Sequence, residues 1–128
     1  MSYLVTLEIW GPETGSELGA GAMAGDAEEA VRACASRVLD HSLPGASVTR
    51  VVVSVEEREW NGRARLGHHV TVVIQAPEPP GLDGERDGRW LRFWIESEVS
   101  VALLELINPM RVEGVSVTPV AGERIERR

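Results

Sequence analysis

The chain has 128 residues, of which 43% are hydrophobic and 26% are charged, as is usual for a globular protein. Its formal net charge of −7 disfavours general nucleic-acid binding, because neutralising phosphates requires a basic surface. The single cysteine excludes an internal disulfide and a multi-cysteine zinc site. We expect one α+β domain over residues 1–120 and a charged tail over 121–128, with no metal or cofactor.

The sequence also indicates where the protein is located and what kind of genome encodes it. It contains no run of about 20 apolar residues that could span a bilayer, and its first apolar run lacks the preceding basic region of a signal peptide. We therefore expect a cytoplasmic protein without a membrane partner. All thirteen basic residues are arginine, which indicates the coding bias of a GC-rich genome, such as that of a bacterium or its phage.

Residues 3–10 alternate between apolar and polar, which predicts a strand with one buried face. Residues 11–25 hold five glycines and are expected to form a mobile loop. Their glycine pattern is close to a dinucleotide fingerprint but has one residue too many, so nucleotide binding is not favoured. Asp26 is the expected N-cap of a helix over 27–40, whose apolar residues recur at helical spacing.

Asn61-Gly62 between two alternating apolar runs predicts a hairpin over residues 48–76, because a type I′ turn needs positive φ at both central residues. A two-residue loop pairs Trp60 with Arg63. The same register pairs Val53 with Val70, and a slip of one residue would scatter the apolar face.

Residues 77–88 hold three prolines, three glycines and four acidic residues, and we expect this loop to be the most mobile internal segment. A helix is predicted over 89–107, ended by Asn108-Pro109, and a last strand over 112–120. The order β-α-β-β-α-β predicts a ferredoxin-like plait: a four-stranded antiparallel sheet, order 4-1-3-2, with both helices on one face. This fold hosts many unrelated functions.

The hairpin tip collects aromatic and basic residues. An anion or an acidic partner segment could bind there. The competing interpretation is that Glu56, Glu57 and Glu59 neutralise the arginines while Trp60 stacks on Arg63. The residues of the predicted anion site are Trp60, Arg58, Arg63, Arg65 and Arg111.

The open face of the sheet carries a second candidate. His69 is expected opposite Ser54 and within reach of Glu56, so the alternative catalytic set is His69, Ser54 and Glu56. His69 would act as the acid-base group in a pocket between this sheet and a partner sheet, since its unperturbed pKa lies near neutrality. The expected lining is Trp10, Val52, His69 and Val73. A flat strand gives Ser54 neither an elbow nor an oxyanion hole, and a polar cross-strand pair is the competing interpretation.

The second predicted helix has two apolar stripes, whereas a surface helix in a two-layer fold needs only one. One stripe suits the sheet. The other predicts a protein–protein interface, unless the 77–88 loop or the first helix covers it. The residues of this predicted interface are Trp90, Trp94, Val101 and Leu104.

Two resemblances accompany these patterns. The plait with an open sheet face resembles dimeric α+β-barrel enzymes, such as small monooxygenases that act without a cofactor. The run from Val70 to Ala76, an acidic loop, and then Trp90 on a helix is similar to phage tail-terminator subunits. The sequence thus favours a non-catalytic assembly subunit that binds a protein partner or forms a homo-oligomer. The alternative is a small enzyme or small-molecule binder using the open face.

Overall fold

The structure, a computed structural model, describes residues 2–13, 24–77 and 85–120. These residues form four strands and two helices. In order they are β1 (Ser2–Pro12), α1 (Ala24–Ser42), β2 (Ser47–Trp60), β3 (Arg63–Pro77), α2 (Glu85–Leu103) and β4 (Arg111–Val120). The glycine-rich part of the predicted 11–25 loop, most of the predicted 77–88 loop and the predicted tail lie outside the described residues.

The four strands form one antiparallel sheet of order β2-β3-β1-β4. This is the predicted order 4-1-3-2 read from the opposite edge, so the α+β class and the sheet are confirmed. The hairpin register is confirmed as well: Trp60 pairs with Arg63 and Val53 with Val70. Asn61 and Gly62 have φ values of 53° and 80°, the positive angles that a type I′ turn requires.

One continuous core lies between the sheet and the helices. Val5, Leu7 and Ile9 on β1 are fully buried, and so are Leu91 and Ile95 on α2. Both helices contribute to this single cluster and therefore cover the same face of the sheet. The other face is left open along much of its length.

Helix α1 also protects an edge of the sheet. Arg32 donates a hydrogen bond from Nη1 to the Val48 carbonyl (3.0 Å), and the Val53 amide donates to Glu28 Oε2 (3.4 Å). Both backbone groups belong to β2, which is an edge strand. Side chains of α1 therefore occupy backbone positions at which another strand could otherwise add to the sheet.

The predicted helix boundaries are wrong at three ends. Helix α1 begins at Ala24, so Asp26 is not the N-cap but lies in the first turn, where a carboxylate interacts favourably with the helix dipole. Helix α2 includes residues 85–88, which the sequence placed in a loop. It ends at Leu103 rather than near 107. The amides from Leu104 to Leu106 each donate a hydrogen bond to the carbonyl three residues earlier, which is the tighter spacing of a 3₁₀ turn.

Candidate functional site

The tip of the β2–β3 hairpin touches the far edge of the sheet. Two strands separate β2 from β4, so in a flat sheet they would be about 14 Å apart. Yet Arg58 Nη1 on β2 lies 2.7 Å from Glu113 Oε1 on β4, and Arg111 Nη2 donates to the Glu59 carbonyl at 3.2 Å. The tip therefore curls over the open face and joins the two edge strands.

A bulge in β4 accounts for part of this contact. Glu8 pairs with Gly114 and Ile9 pairs with Val112, which leaves Glu113 as an extra residue. A bulge of this kind re-aims a side chain relative to a regular strand. The Glu113 carboxylate bonds Arg58 through both oxygens, at 2.7 and 2.8 Å.

The curled tip covers Trp10, which is fully buried although it belongs to the open face. Its ring centroid lies 5.6 Å from that of Trp60, and its Nε1 donates to the Glu56 carbonyl at 3.3 Å. The guanidinium of Arg111 lies over the Trp60 ring, 5.3 Å from the centroid. Trp60 therefore contacts Trp10 and Arg111, whereas its expected stacking on Arg63 stays a prediction.

Arg58, which the sequence assigned to an anion site, is held between two carboxylates. Its Nη2 donates to Glu56 Oε1 at 2.8 Å, and Nη1 binds Glu113. The hydrogen bond from Arg58 lowers the pKa of Glu56, helped by Ser54 and His69, while partial burial opposes this effect. Arg63 and Arg65 are exposed. Arg111 is exposed as well, although it also contacts Trp60 and the Glu59 carbonyl. An anion site at these residues stays a prediction.

Ser54, Glu56 and His69 do come together, as the sequence predicted. Ser54 Oγ donates to Glu56 Oε2 at 3.2 Å, and His69 Nδ1 lies 3.6 Å from that same oxygen. On its other side, His69 Nε2 lies 3.4 Å from Glu8 Oε1. The carboxylate stands between the hydroxyl and the imidazole. The arrangement thus lacks the contact between nucleophile and base that activates a serine.

Among residues 2–13, 24–77 and 85–120, no three or more His, Cys, Asp or Glu residues are grouped so as to hold a metal ion. Neither helix in that part of the chain combines the length and the apolar content needed to cross a membrane.

The clearest candidate for binding is the outward face of α2 together with Leu104, the first residue after the helix. Phe93 is 72% exposed, Val101 is 63% exposed, and Trp94 and Leu104 are each 39% exposed. We call these four residues the outer stripe. The predicted interface included Trp94, Val101 and Leu104 but also Trp90, which is half-buried and packs against the core.

Sequence reasoning missed Phe93, which is the most exposed residue of the outer stripe. With Phe93 at 0° on a helical wheel, Val101 lies at about 80° and Trp94 at about 100°, so the three side chains share one side of α2. That spacing was the signal available to find it. The core residues Leu91 and Ile95 fall on the opposite side of the wheel and are fully buried.

An open groove of about 490 Å³ adjoins the outer stripe and is lined by residues of both α1 and α2. Val101 belongs to both features. The remaining lining residues are Arg37, Val38, His41, Ser42, Glu98 and Ala102. The groove gives the stripe a concave border into which a side chain from another molecule could fit.

Comparisons with known proteins add no functional information. No family model matches the chain, and no curated protein matches it. Among solved structures, the chain is similar to the de novo designed protein Foldit4, with 19% sequence identity and a TM-score of 0.38. That match covers 94% of this chain and 100% of the designed protein.

Proposed function

We propose that the protein is a non-catalytic protein–protein interaction or assembly subunit and that the outer stripe of α2 is its partner surface. The observation that supports this proposal is the exposure of four large hydrophobic side chains, three on one face of α2 and one directly after the helix. Single exposed hydrophobic residues are common, but a contiguous group indicates a surface that another molecule covers.

Composition supports the same proposal. Aromatic side chains are enriched at the centres of interfaces, where they supply most of the binding energy, and the outer stripe holds Phe93 and Trp94. Glu98 and Glu105 are exposed beside the stripe, and so provide a polar rim. An apolar centre with a polar rim is the usual anatomy of an interface.

We further propose a ferredoxin-like plait for the fold. The element order and the strand order, together with both helices on one face, support it. All thirteen basic residues are arginine, which supports a bacterial or phage system with a GC-rich genome. We also propose that the protein is cytoplasmic.

The alternative function, a dimeric α+β-barrel-type enzyme or a small-molecule binder on the open face, has weaker support. Its pocket would use Trp10, but that ring is fully buried beneath the hairpin tip. Its acid-base group would be His69, whose two nitrogens both lie near carboxylates. Glu56 and Glu8 would have to move before His69 could reach a substrate.

Site-specific photocrosslinking tests the proposed function. A photoreactive phenylalanine analogue is placed at Phe93 and, as a matched control, at Leu66, which is 51% exposed on the hairpin. After irradiation in the producing cells, we expect one dominant crosslinked species from position 93 and none from position 66. Equal or absent crosslinking at the two positions would reject the outer stripe as a partner surface.

A further inference from the structure

The two edge strands of the sheet differ in how their outer backbone groups are bonded. On β2, Arg32 and Glu28 of helix α1 bond the Val48 carbonyl and the Val53 amide. On β4, the backbone of residues 114–119 has β1 as its one hydrogen-bonding partner within the part of the chain that the structure describes. We call the outward side of residues 114–119 the β4 edge.

The neighbouring elements leave the β4 edge accessible. The hairpin tip contacts β4 at Arg111 and Glu113, near the start of the strand. Helix α2 packs on β4 and β1 and belongs to the core cluster, so it covers the core-side face of β4 and not its edge. Glu113 is exposed as a residue although its side chain is 19% exposed, so the exposed surface belongs mainly to its backbone. Ser116 and Thr118 are also exposed.

Pro119 indicates which backbone groups of β4 point outward. It lies opposite Tyr3 on β1, and because proline has no N–H, this is a non-hydrogen-bonded pair of the antiparallel ladder. The two kinds of pair alternate along a regular ladder, so Val117 and Val115 also direct their N–H and C=O groups away from β1. A row of outward N–H and C=O groups binds an extended strand.

The centre of the β4 edge carries no charge. Its residues are Gly114, Val115, Ser116, Val117, Thr118 and Pro119. Edge strands are commonly kept from pairing by charged side chains, bulges or prolines. Here the bulge at Glu113 and the proline at position 119 lie at the two ends, so the residues between them can pair with a short strand.

We infer that this strand is β4 of a second copy of the chain, paired antiparallel about a two-fold axis at Ser116, so that the two sheets become one continuous sheet. Val115 then exchanges both backbone hydrogen bonds with the other copy's Val117. Pro119, which has no N–H to donate, lies opposite the other copy's Glu113, where the bulge already interrupts the ladder. The surface is separate from the outer stripe, so this inference goes beyond the proposed function.

The side chains and the other edge of the sheet support a closed pair of identical chains. In this register Ser116 lies beside Ser116 of the other copy, and Gly114 lies beside Thr118. Small and β-branched neighbours of this kind pair favourably across strands, and no like charges meet. Because α1 occupies backbone groups of β2, a further copy cannot add at that edge, and the assembly stops at two chains.

Sedimentation equilibrium on the full-length protein tests the inference. We expect the wild type to have the mass of two 14.0 kDa chains at a concentration on the order of 100 µM, which suits a small interface. Ser116→Asp places two carboxylates directly opposite each other at the axis and should give the mass of one chain at the same concentration. Thr118→Asp is the matched control. Its carboxylate lies opposite Gly114, so the mass should remain that of two chains.

Disulfide crosslinking tests the register independently of any loss of stability. In a Cys34→Ser background, Ser116→Cys brings two thiols together across a non-hydrogen-bonded pair, where the Cα atoms are about 4.5 Å apart and a disulfide can form. The two copies of Thr118→Cys lie four residues apart along the ladder, about 13 Å, which is too far. We expect mild oxidation to give a covalent dimer from Cys at position 116 and not from Cys at position 118.

Several results would overturn the inference. These are a wild type with the mass of one chain, a Ser116→Asp variant that remains as dimeric as Thr118→Asp, and equal or absent crosslinking of the two cysteine variants. If a photoreactive residue at position 116 captures a protein of another mass in the producing cells while the purified wild type is monomeric, the β4 edge binds a strand of that protein instead. None of these variants alters the outer stripe, so the crosslink from position 93 and the pairing of β4 succeed or fail separately.

Discussion

The Trp10 ring lies where a side chain at Gly67 would have to be. A Cβ built on Gly67 would collide with Cζ2 of Trp10 and with the Gly11 carbonyl oxygen. Gly67 lies opposite Glu56 on β2 and Pro12 on β1, so the indole crosses β3 at the one position that offers no obstruction. This contact lets Trp10 reach the Glu56 carbonyl beneath the curled hairpin tip.

Substituting Gly67→Ala should therefore destabilise the protein. The added methyl must displace either the indole or the β1 backbone, and overpacking of this kind costs about 1 to 3 kcal/mol in the free energy of unfolding. Gly114→Ala is the matched control, because nothing lies within 4 Å of its Cβ. Its effect should stay within about 0.5 kcal/mol. Urea unfolding of both variants measures the difference, and equal stabilities would show that Trp10 does not occupy this position.

The hairpin tip should loosen when Trp60 is replaced. Trp60→Leu removes the ring contacts with Trp10 and Arg111, and aromatic and cation–π pairs together contribute about 1 to 2 kcal/mol. Trp10 would then become accessible to water. We expect lower stability in urea and stronger quenching of tryptophan fluorescence by acrylamide. Trp94→Leu on the outer stripe should leave stability nearly unchanged, and a similar loss in both variants would contradict the curled arrangement.

Acid should weaken the network that joins Glu56 to Arg58. Since the folded-state pKa of Glu56 is lowered, its carboxylate stabilises the fold above the ordinary glutamate pKa of about 4.3. That contribution is lost as the pH falls through the lower folded-state pKa. We expect Glu56→Gln to be less stable than the wild type at pH 7 and the difference to shrink toward pH 3. Thermal unfolding across this range is the measurement, and a constant or growing difference would contradict the prediction.

Local sequence signals were sufficient to predict the pairing and register of the β2–β3 hairpin. Asn61-Gly62 set the turn, and the alternating valines of β2 and β3 set the register, because a slip of one residue would have placed Val53 and Val70 on opposite faces of the sheet. Helix boundaries were less accurate. Residues 85–88 contain a glycine and follow several prolines, and the acidic residues that suit a first helical turn also suit a loop.

The network on the open face could only partly be predicted. The cross-strand neighbours Ser54 and His69 follow from the register. The contact of Arg58 with Glu113 does not, because it depends on a bulge in β4 and on coiling of the hairpin across two strands. Neither feature has a local sequence signature. Trp90 was likewise assigned to the exposed stripe because a helical wheel does not include packing against elements beyond the helix.

Cys34 should be almost unreactive in the folded protein. The thiol is buried and donates a hydrogen bond to the Ala102 carbonyl at 3.4 Å. Burial raises the pKa of Cys34, while the nearby Arg37 partly opposes the increase. The thiolate is the reactive form, so both access and ionisation are reduced at neutral pH. We expect a disulfide reagent to label Cys34 only as fast as the protein opens and at full rate in urea. Rapid labelling without denaturant would contradict this packing.

Mutations on the two apolar faces of α2 should differ strongly in their effect on stability. Leu91 is fully buried, so Leu91→Ala should cost about 2 to 5 kcal/mol through lost burial and the cavity that remains. Phe93 is 72% exposed, so Phe93→Ala should change the free energy of unfolding by no more than about 0.5 kcal/mol. Urea unfolding of the isolated protein distinguishes the two positions, which are only two residues apart. A loss above about 2 kcal/mol at Phe93 would mean that another part of the chain already covers the outer stripe, and the proposed partner surface would then be part of the core.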